Sequence, residues 1–273
     1  MYAYQLYVYN ERLFQWEELT SDNQSFRILR VDGLNPPPAT INTSTGGTLD
    51  GAFFNSARLG QRNIVITVMP REYIEDTRIE LYTLFPVNQE IRLRFKNGQR
   101  DVTIRGYVES FEGSLCDFPQ TFTISVICPR PFFDSHTVNT ISLPAPHPDA
   151  ATLPNGGDVK NGVTMRIEIS QDLSGNAVRG LTITNTFTGE YIGFDAGFIH
   201  DDVIVISTIA GELKAECRRA SLTSPINLVG YLSAGSSWIK LKFDINRFSF
   251  STSNNTDEYV SMEISHINQF VGV

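Results

Sequence analysis

A mainly β protein of two domains is predicted: an N-terminal β-sandwich or split barrel carrying one helix, and a C-terminal β-sandwich. Three observations predict it. Apolar and polar residues alternate with period two in run after run of the chain. Only one segment, between Pro70 and Pro86, moves to helical spacing. Prolines 129, 131, 144, 146, 148 and 154 interrupt the alternation near the middle of a chain of 273 residues, a length long for one core and comfortable for two. The expected division is residues 1–133, a Pro-rich linker over 134–154, and residues 155–273, with the strand Val260 to Phe270 open to either domain.

In the first half, strands are expected at Tyr4 to Tyr9, Phe26 to Val31, Ile64 to Met69, Ile91 to Phe95, Val102 to Phe111 and Thr121 to Cys128. Asn97-Gly98 between the fourth and fifth is the favoured pair for a type I′ hairpin turn. The helix has Ile74, Leu81, Tyr82 and Phe85 as its apolar stripe. Pro70 is expected to open it, Pro86 to end it, and Glu72, Glu75 and Asp76 to suit its positive N-terminal end. Between the second and third strands, Pro36, Pro37 and Pro38 fix φ and remove donors, and Gly46-Gly47 and Asp50-Gly51 supply turns. Residues Pro36 to Arg62 are therefore expected as a long, polar, ordered loop.

Beyond the prolines, strands are expected at Thr164 to Ser170, Leu181 to Asn185, Tyr191 to Phe194, Val203 to Ser207, Leu213 to Arg218, Trp238 to Asp244, Phe248 to Ser251 and Val260 to Ile267. Thr188-Gly189-Glu190 and Ala210-Gly211-Glu212 read as compact turns, and Gly197 to Asp202 as an exposed acidic one. Short strands separated by turn signals at this spacing are the pattern of a sandwich.

The composition excludes several functions. Lys plus Arg number 22 against 30 Asp plus Glu, a formal net charge of −8, which argues against duplex nucleic acid as a main partner. The start of the chain has neither a basic region nor an apolar run, so no secretory leader is expected, and no stretch approaches membrane-spanning length. Cys116, Cys128 and Cys217 form no CxxC pair and read as buried thiols. His136, His147, His200 and His266 are scattered. His200-Asp201-Asp202 is the one cluster with carboxylates, and it has no metal-ligand spacing. Asp195, Asp201, Glu212 and Glu216 could supply a glycosidase pair, but such pairs are nearly unavoidable among 30 acidic residues. With no GxSxG elbow or Walker pattern, no catalytic residue, cofactor or metal is expected.

Val31-Asp32-Gly33-Leu34-Asn35-Pro36-Pro37-Pro38-Ala39, Asp50-Gly51-Ala52-Phe53-Phe54, Arg62-Asn63-Ile64-Val65-Ile66 and Cys128-Pro129-Arg130-Pro131-Phe132-Phe133 resemble the distal tail proteins of long-tailed phages of Gram-positive hosts. Ile183-Thr184-Asn185 with Thr188-Gly189, and Asn227-Leu228 through Leu232 to Ser236-Ser237-Trp238-Ile239-Lys240-Leu241, extend the resemblance through the second half. The resemblance implies a virion protein, made in the host cytoplasm and placed at the tail tip or baseplate. Its N-terminal domains would form a homohexameric hub ring, and its C-terminal sandwich would be galectin-like. The ring would join the tail tube protein to a tail-associated fibre or lysin protein and to receptor-binding protein. DNA would pass through the channel without specific binding, and no membrane is involved.

A ring subunit needs contact surface in place of an active site. The loop is the candidate, through Pro36, Pro37, Asp50, Phe53, Arg58 and Arg62, with Arg58 and Arg62 expected as a basic edge facing an acidic surface across a subunit boundary. The alternative reading is a carbohydrate-binding adhesion module. In it Trp238, on the face of its strand opposite Ile239, Leu241 and Phe243, would stack on a sugar or meet a partner.

Overall fold

A computed structural model describes residues 4–11, 13–22, 24–47, 50–113, 118–145, 150–170 and 177–273. Residues 1–136 with 270–273 form one compact unit and residues 137–269 a second. The fold is mostly antiparallel β-sheet with a single α-helix among the described residues.

The first unit is built from β1 (Gln5–Asn10), β2 (Gln15–Glu18), β3 (Phe26–Asp32), β4 (Ala39–Ser44), β5 (Phe53–Leu59), β6 (Arg62–Pro70), α1 (Ile74–Leu84), β7 (Glu90–Lys96), β8 (Asp101–Gly113), β9 (Phe122–Cys128) and the start of β10 (Phe133–Leu143). The pairing runs β2, β1, β7, β8, β9, β6, β3, and the first residues of β10 join β8 through Asp134↔Thr103 and Ser135↔Val102. Period-two alternation converts directly into a core. Leu6 and Val8, Ile64, Ile66 and Val68, Ile91, Leu93 and Phe95, and Phe122, Ile124 and Val126 all point inward.

Three local expectations are corrected by the fold. The β7–β8 connection is a four-residue loop, Asn97 to Arg100, and neither Asn97 nor Gly98 adopts the positive φ that a type I′ turn requires. The Asn97 side chain accepts from the amides of Gln99 and Arg100, and this closes the loop. Helix α1 buries Thr77, Leu81 and Leu84, while Ile74 and Tyr82 are exposed, so the expected stripe is rotated. Pro70 ends β6, and the helix opens at Tyr73 in a left-handed conformation without a side-chain cap.

The second unit contains the rest of β10 with β11 (Ala151–Asn155), β12 (Thr164–Ile169), β13 (Val178–Arg179), β14 (Thr182–Asn185), β15 (Tyr191–Gly193), β16 (Gly197–Phe198), β17 (Val203–Ser207), β18 (Lys214–Arg218), β19 (Ile226–Asn227), β20 (Asp244–Ser251) and β21 (Val260–Phe270). One sheet is ordered β19, β18, β17, β12, β21, β10 and the other β11, β20, β14, β15, with β13 and β16 as a small ladder. Met165 and Ile167 of β12, Ile204 and Ile206 of β17, Ile183 of β14, Phe248 and Phe250 of β20, and Ile264 of β21 fill a shared core, the pattern of a sandwich.

The stretch read from its prolines as a linker is largely strand, since β10 reaches Leu143 and β11 starts at Ala151. Pro154 itself is tolerated in β11, which among the described residues pairs with β20 alone. Of the expected strand Trp238 to Asp244, residues 238–243 join no ladder among the described residues and Asp244 opens β20. Amides in this segment and just before it go to unrelated acceptors: Ser237 to the Tyr191 carbonyl, Lys240 to Glu190, Leu241 to the Asn161 carbonyl and Lys242 to the Asn246 side chain. Gly197 to Asp202 holds the short strand β16 and the fully buried Asp202, so it is not simply an exposed turn.

Candidate assembly surface

The loop from Pro36 to Arg62 is in fact a β-hairpin arm. Strands β4 and β5 form a two-stranded sheet of their own, paired from Ala39↔Leu59 to Ser44↔Phe53 with a bulge between Asn42 and Thr43. Asn42 Nδ2 donates to Ser56 Oγ across the ladder at 2.9 Å. Every residue of β4 is exposed, and so is all of β5 except Leu59. Because both faces are wet, the arm shows no period-two alternation, and its composition of Thr, Asn and Ser reads as loop.

The arm carries apolar side chains into solvent: Ile41 at 61%, Phe53 at 57% and Phe54 at 67% exposure. Ladder partners share a face, so Ile41, Ala57, Thr43 and Phe54 lie on one face and Thr40, Arg58, Ser44 and Phe53 on the other. Of the residues expected at a contact, Pro36, Asp50, Phe53 and Arg58 are exposed and Pro37 is half-buried. Ile41 and Phe54 were not among them, and only exposure in the folded chain marks them.

Arg62 is a correction. It forms no exposed basic edge with Arg58, being 2% exposed. It occupies the inward parity of β6 with Ile64, Ile66 and Val68, and that parity was the sequence signal for its burial. Its Nε donates to the Pro131 carbonyl at 2.8 Å and Nη2 to the Val271 carbonyl at 2.7 Å, while Nη1 donates to the carbonyls of Gly33 and Asn35. The guanidinium stacks over Phe133, 4.4 Å from the ring centroid. Burial lowers its pKa from the ordinary arginine value, and the four carbonyls hold its charge in place of a carboxylate. Gly33 makes this approach possible: its φ is +85°, and a Cβ there would sit 2.0 Å from the Asn63 carbonyl oxygen. The base of the arm is therefore rigid where the arm itself is open.

The other candidates resolve into structure. Trp238 is half-buried and packs on the core of the second unit. Asp202 takes both Arg219 Nε at 2.9 Å and Nη2 at 2.6 Å, and its Oδ2 accepts from the Ile199 amide at 2.9 Å, so its carboxylate is committed to an ion pair. Among the described residues no group of three or more His, Cys, Asp or Glu is placed to hold a metal ion. Burial pushes the Cys128 thiol up to about 12, against the opposing effect of Arg62, and the Cys217 thiol up to about 11, with Asp202 adding to it. Cys116 and His147 lie outside the described residues. No helix in the described residues is long and apolar enough to cross a membrane.

No family model and no curated protein matches the sequence. In fold, the chain is similar to the crystal structure of the SPP1 Dit protein, described as a paradigm of the hub adsorption apparatus in phages infecting Gram-positive bacteria. The identity is 14%, the TM-score 0.71, and the match covers 98% of this chain and 100% of that one. A chain of the phage P2 baseplate, in its activated conformation with Ca, aligns over 97% of this chain and 98% of its own, with 11% identity and a TM-score of 0.48.

Proposed function

We propose that this chain is a structural, non-catalytic component of a phage tail tip, a distal tail protein whose first unit forms a hexameric hub ring. One observation carries the reading: the fold likeness to the SPP1 hub protein runs through 98% of the chain, including both units, at an identity of 14%. The ring joins the tail tube protein to fibre or lysin and receptor-binding proteins and leaves a channel for DNA, and the protein resides in the virion after synthesis in the host cytoplasm.

The arm supplies the physical argument for self-assembly. A two-stranded hairpin alone is at best marginally stable in water, and this one exposes Ile41, Phe53 and Phe54 on opposite faces along with the unpaired edges of both strands. Surface of this kind is completed by a neighbour. The test is the mass and negative-stain image of the purified chain, alone and mixed with tube and fibre proteins. Six-fold rings are expected, and deletion of residues 39–59 abolishes them. Monomers at high concentration with partners present would overturn the reading, and normal rings from the deletion would remove the arm from it.

A further inference from the structure

We propose that Asn97 is a site of self-catalysed covalent modification, at which the Gly98 amide nitrogen displaces ammonia from the Asn97 side chain and leaves aspartate or isoaspartate in the β7–β8 loop. The chain has three Asn-Gly pairs, Asn97-Gly98, Asn155-Gly156 and Asn161-Gly162. Glycine after asparagine favours this attack, because no Cβ shields the nitrogen. The pairs share that chemistry, and the fold frees one of them and locks the other two.

At Asn97 the reacting groups are open and the electrophile is activated. Lys96, Gly98 and Gln99 are exposed, and a Cβ built on Gly98 would meet nothing within 4 Å. Among the described residues no acceptor holds the Gly98 amide, and none holds Asn97 Nδ2, the nitrogen that must leave. Asn97 Oδ1 accepts from the Gln99 amide at 2.9 Å and from the Arg100 amide at 2.7 Å. The first of these bonds folds the side chain back over the Gly98 peptide, which brings Cγ toward the attacking nitrogen. As attack proceeds, negative charge gathers on Oδ1, where two amide donors already point. The other pairs are held. Asn155 is 1% exposed, its Nδ2 donates to the Val159 carbonyl at 3.2 Å, and the attacking Gly156 amide donates to Asn268 Oδ1 at 3.2 Å. Asn161 Nδ2 donates to the Ile267 carbonyl, and the Asn161 carbonyl accepts from the Leu241 amide at 2.8 Å. Gly162 lies so close to Thr208 that a Cβ would stand 2.2 Å from its carbonyl oxygen. Neither asparagine can turn onto the following nitrogen without local opening.

The step balances without a redox partner. The Gly98 amide gives its proton to solvent hydroxide as its nitrogen bonds to Cγ, and the Cγ–Nδ2 bond breaks, with Nδ2 taking up a proton to leave as ammonia. Water then opens the cyclic imide, at Cγ to give aspartate or at the main-chain carbonyl to give isoaspartate. Isoaspartate carries an extra methylene in the backbone, which disrupts the side-chain bonds that close the loop. That loop carries Arg100, whose guanidinium lies over the Phe270 ring at 4.5 Å and donates to the Gly272 carbonyl. Conversion therefore reaches the tie between the β7–β8 hairpin and the last residues of the chain, all within the first unit.

The test is incubation of the full chain at pH 8, native and unfolded in urea, with conversion at each pair read by peptide mass and by ammonia released. In urea the three pairs should convert at similar rates. In the native chain Asn97 should convert at least about tenfold faster than Asn155 and Asn161, and no more slowly than in urea. Gly98→Ala places a Cβ beside the attacking nitrogen in open space, so the thermal melt should be unchanged while conversion at Asn97 falls about tenfold or more. Native Asn97 as slow as the other two, or slowed by folding, overturns the site. So does a Gly98→Ala chain that melts normally and converts at the unaltered rate. The comparison of the three pairs within the unaltered chain decides the matter even where the variant melts early.

Discussion

Arg62 and Phe133 form a buried cation–π pair in which the guanidinium, 4.4 Å from the ring centroid, also donates to four backbone carbonyls. Those carbonyls belong to the start of the arm, the segment before β10 and the last residues of the chain, so one side chain ties together segments up to 209 residues apart. Arg62→Ala strands these acceptors and opens a cavity, and a loss of about 3 to 5 kcal/mol is expected in urea unfolding of the first unit. Arg62→Lys keeps the charge but loses the planar fork, and about half that loss is expected. A wild-type midpoint for Arg62→Ala would mean the network adds nothing to stability.

Gly33→Ala tests the same junction from the backbone side. Its positive φ, and the Asn63 oxygen only 2.0 Å from where a Cβ would stand, leave no accommodation without moving β6. A destabilisation of about 2 kcal/mol or more is expected, read as a lower urea midpoint. An unchanged midpoint would show that the junction can yield.

The difference between what was and was not legible in the sequence follows burial. Strands with one wet face, such as β6, β7 and β8, announced themselves by alternation, because burial of every second residue is what creates the pattern. The arm has two wet faces, so β4 and β5 left no pattern at all. The segment from Trp238 to Phe243 showed the pattern without the ladder: Ile239 and Leu241 are buried by packing, while its amides are held by scattered acceptors. At the candidate site, Phe53 and Arg58 were readable as loop residues. The burial of Arg62 was readable only from its parity with Ile64 and Ile66, which the charge overshadowed.

The thiols give a chemical check on both cores. Cys128 and Cys217 are buried and titrate at about 12 and about 11, raised chiefly by burial, so neither offers thiolate near neutral pH. In a Cys116→Ser background, a disulfide-exchange reagent at pH 8 should label native protein at least about a hundredfold more slowly than urea-unfolded protein. Rapid stoichiometric labelling of the native chain would place one of these residues in an accessible position.

His266 makes the second unit sensitive to acid. It is 3% exposed, its Nε2 lies 2.7 Å from the Pro154 carbonyl oxygen, and its Nδ1 has no hydrogen-bond partner, so a protonated ring would leave a buried charge half-satisfied. Burial accordingly lowers its pKa to about 4 from an ordinary 6.5. The folded state therefore excludes a proton that the unfolded state takes up below the ordinary value. Stability is whole above that value, falls as the pH drops through the window, and has lost up to about 3 kcal/mol from this residue at the lower pKa. Asp101, held below the usual carboxylate range chiefly by its hydrogen bonds from Arg94, loses its contribution at lower pH still, so the two effects separate. The measurement is urea unfolding of the native chain and His266→Gln at intervals across that window. The variant should show a flatter dependence by about the same amount, and parallel curves would exclude His266 as its source.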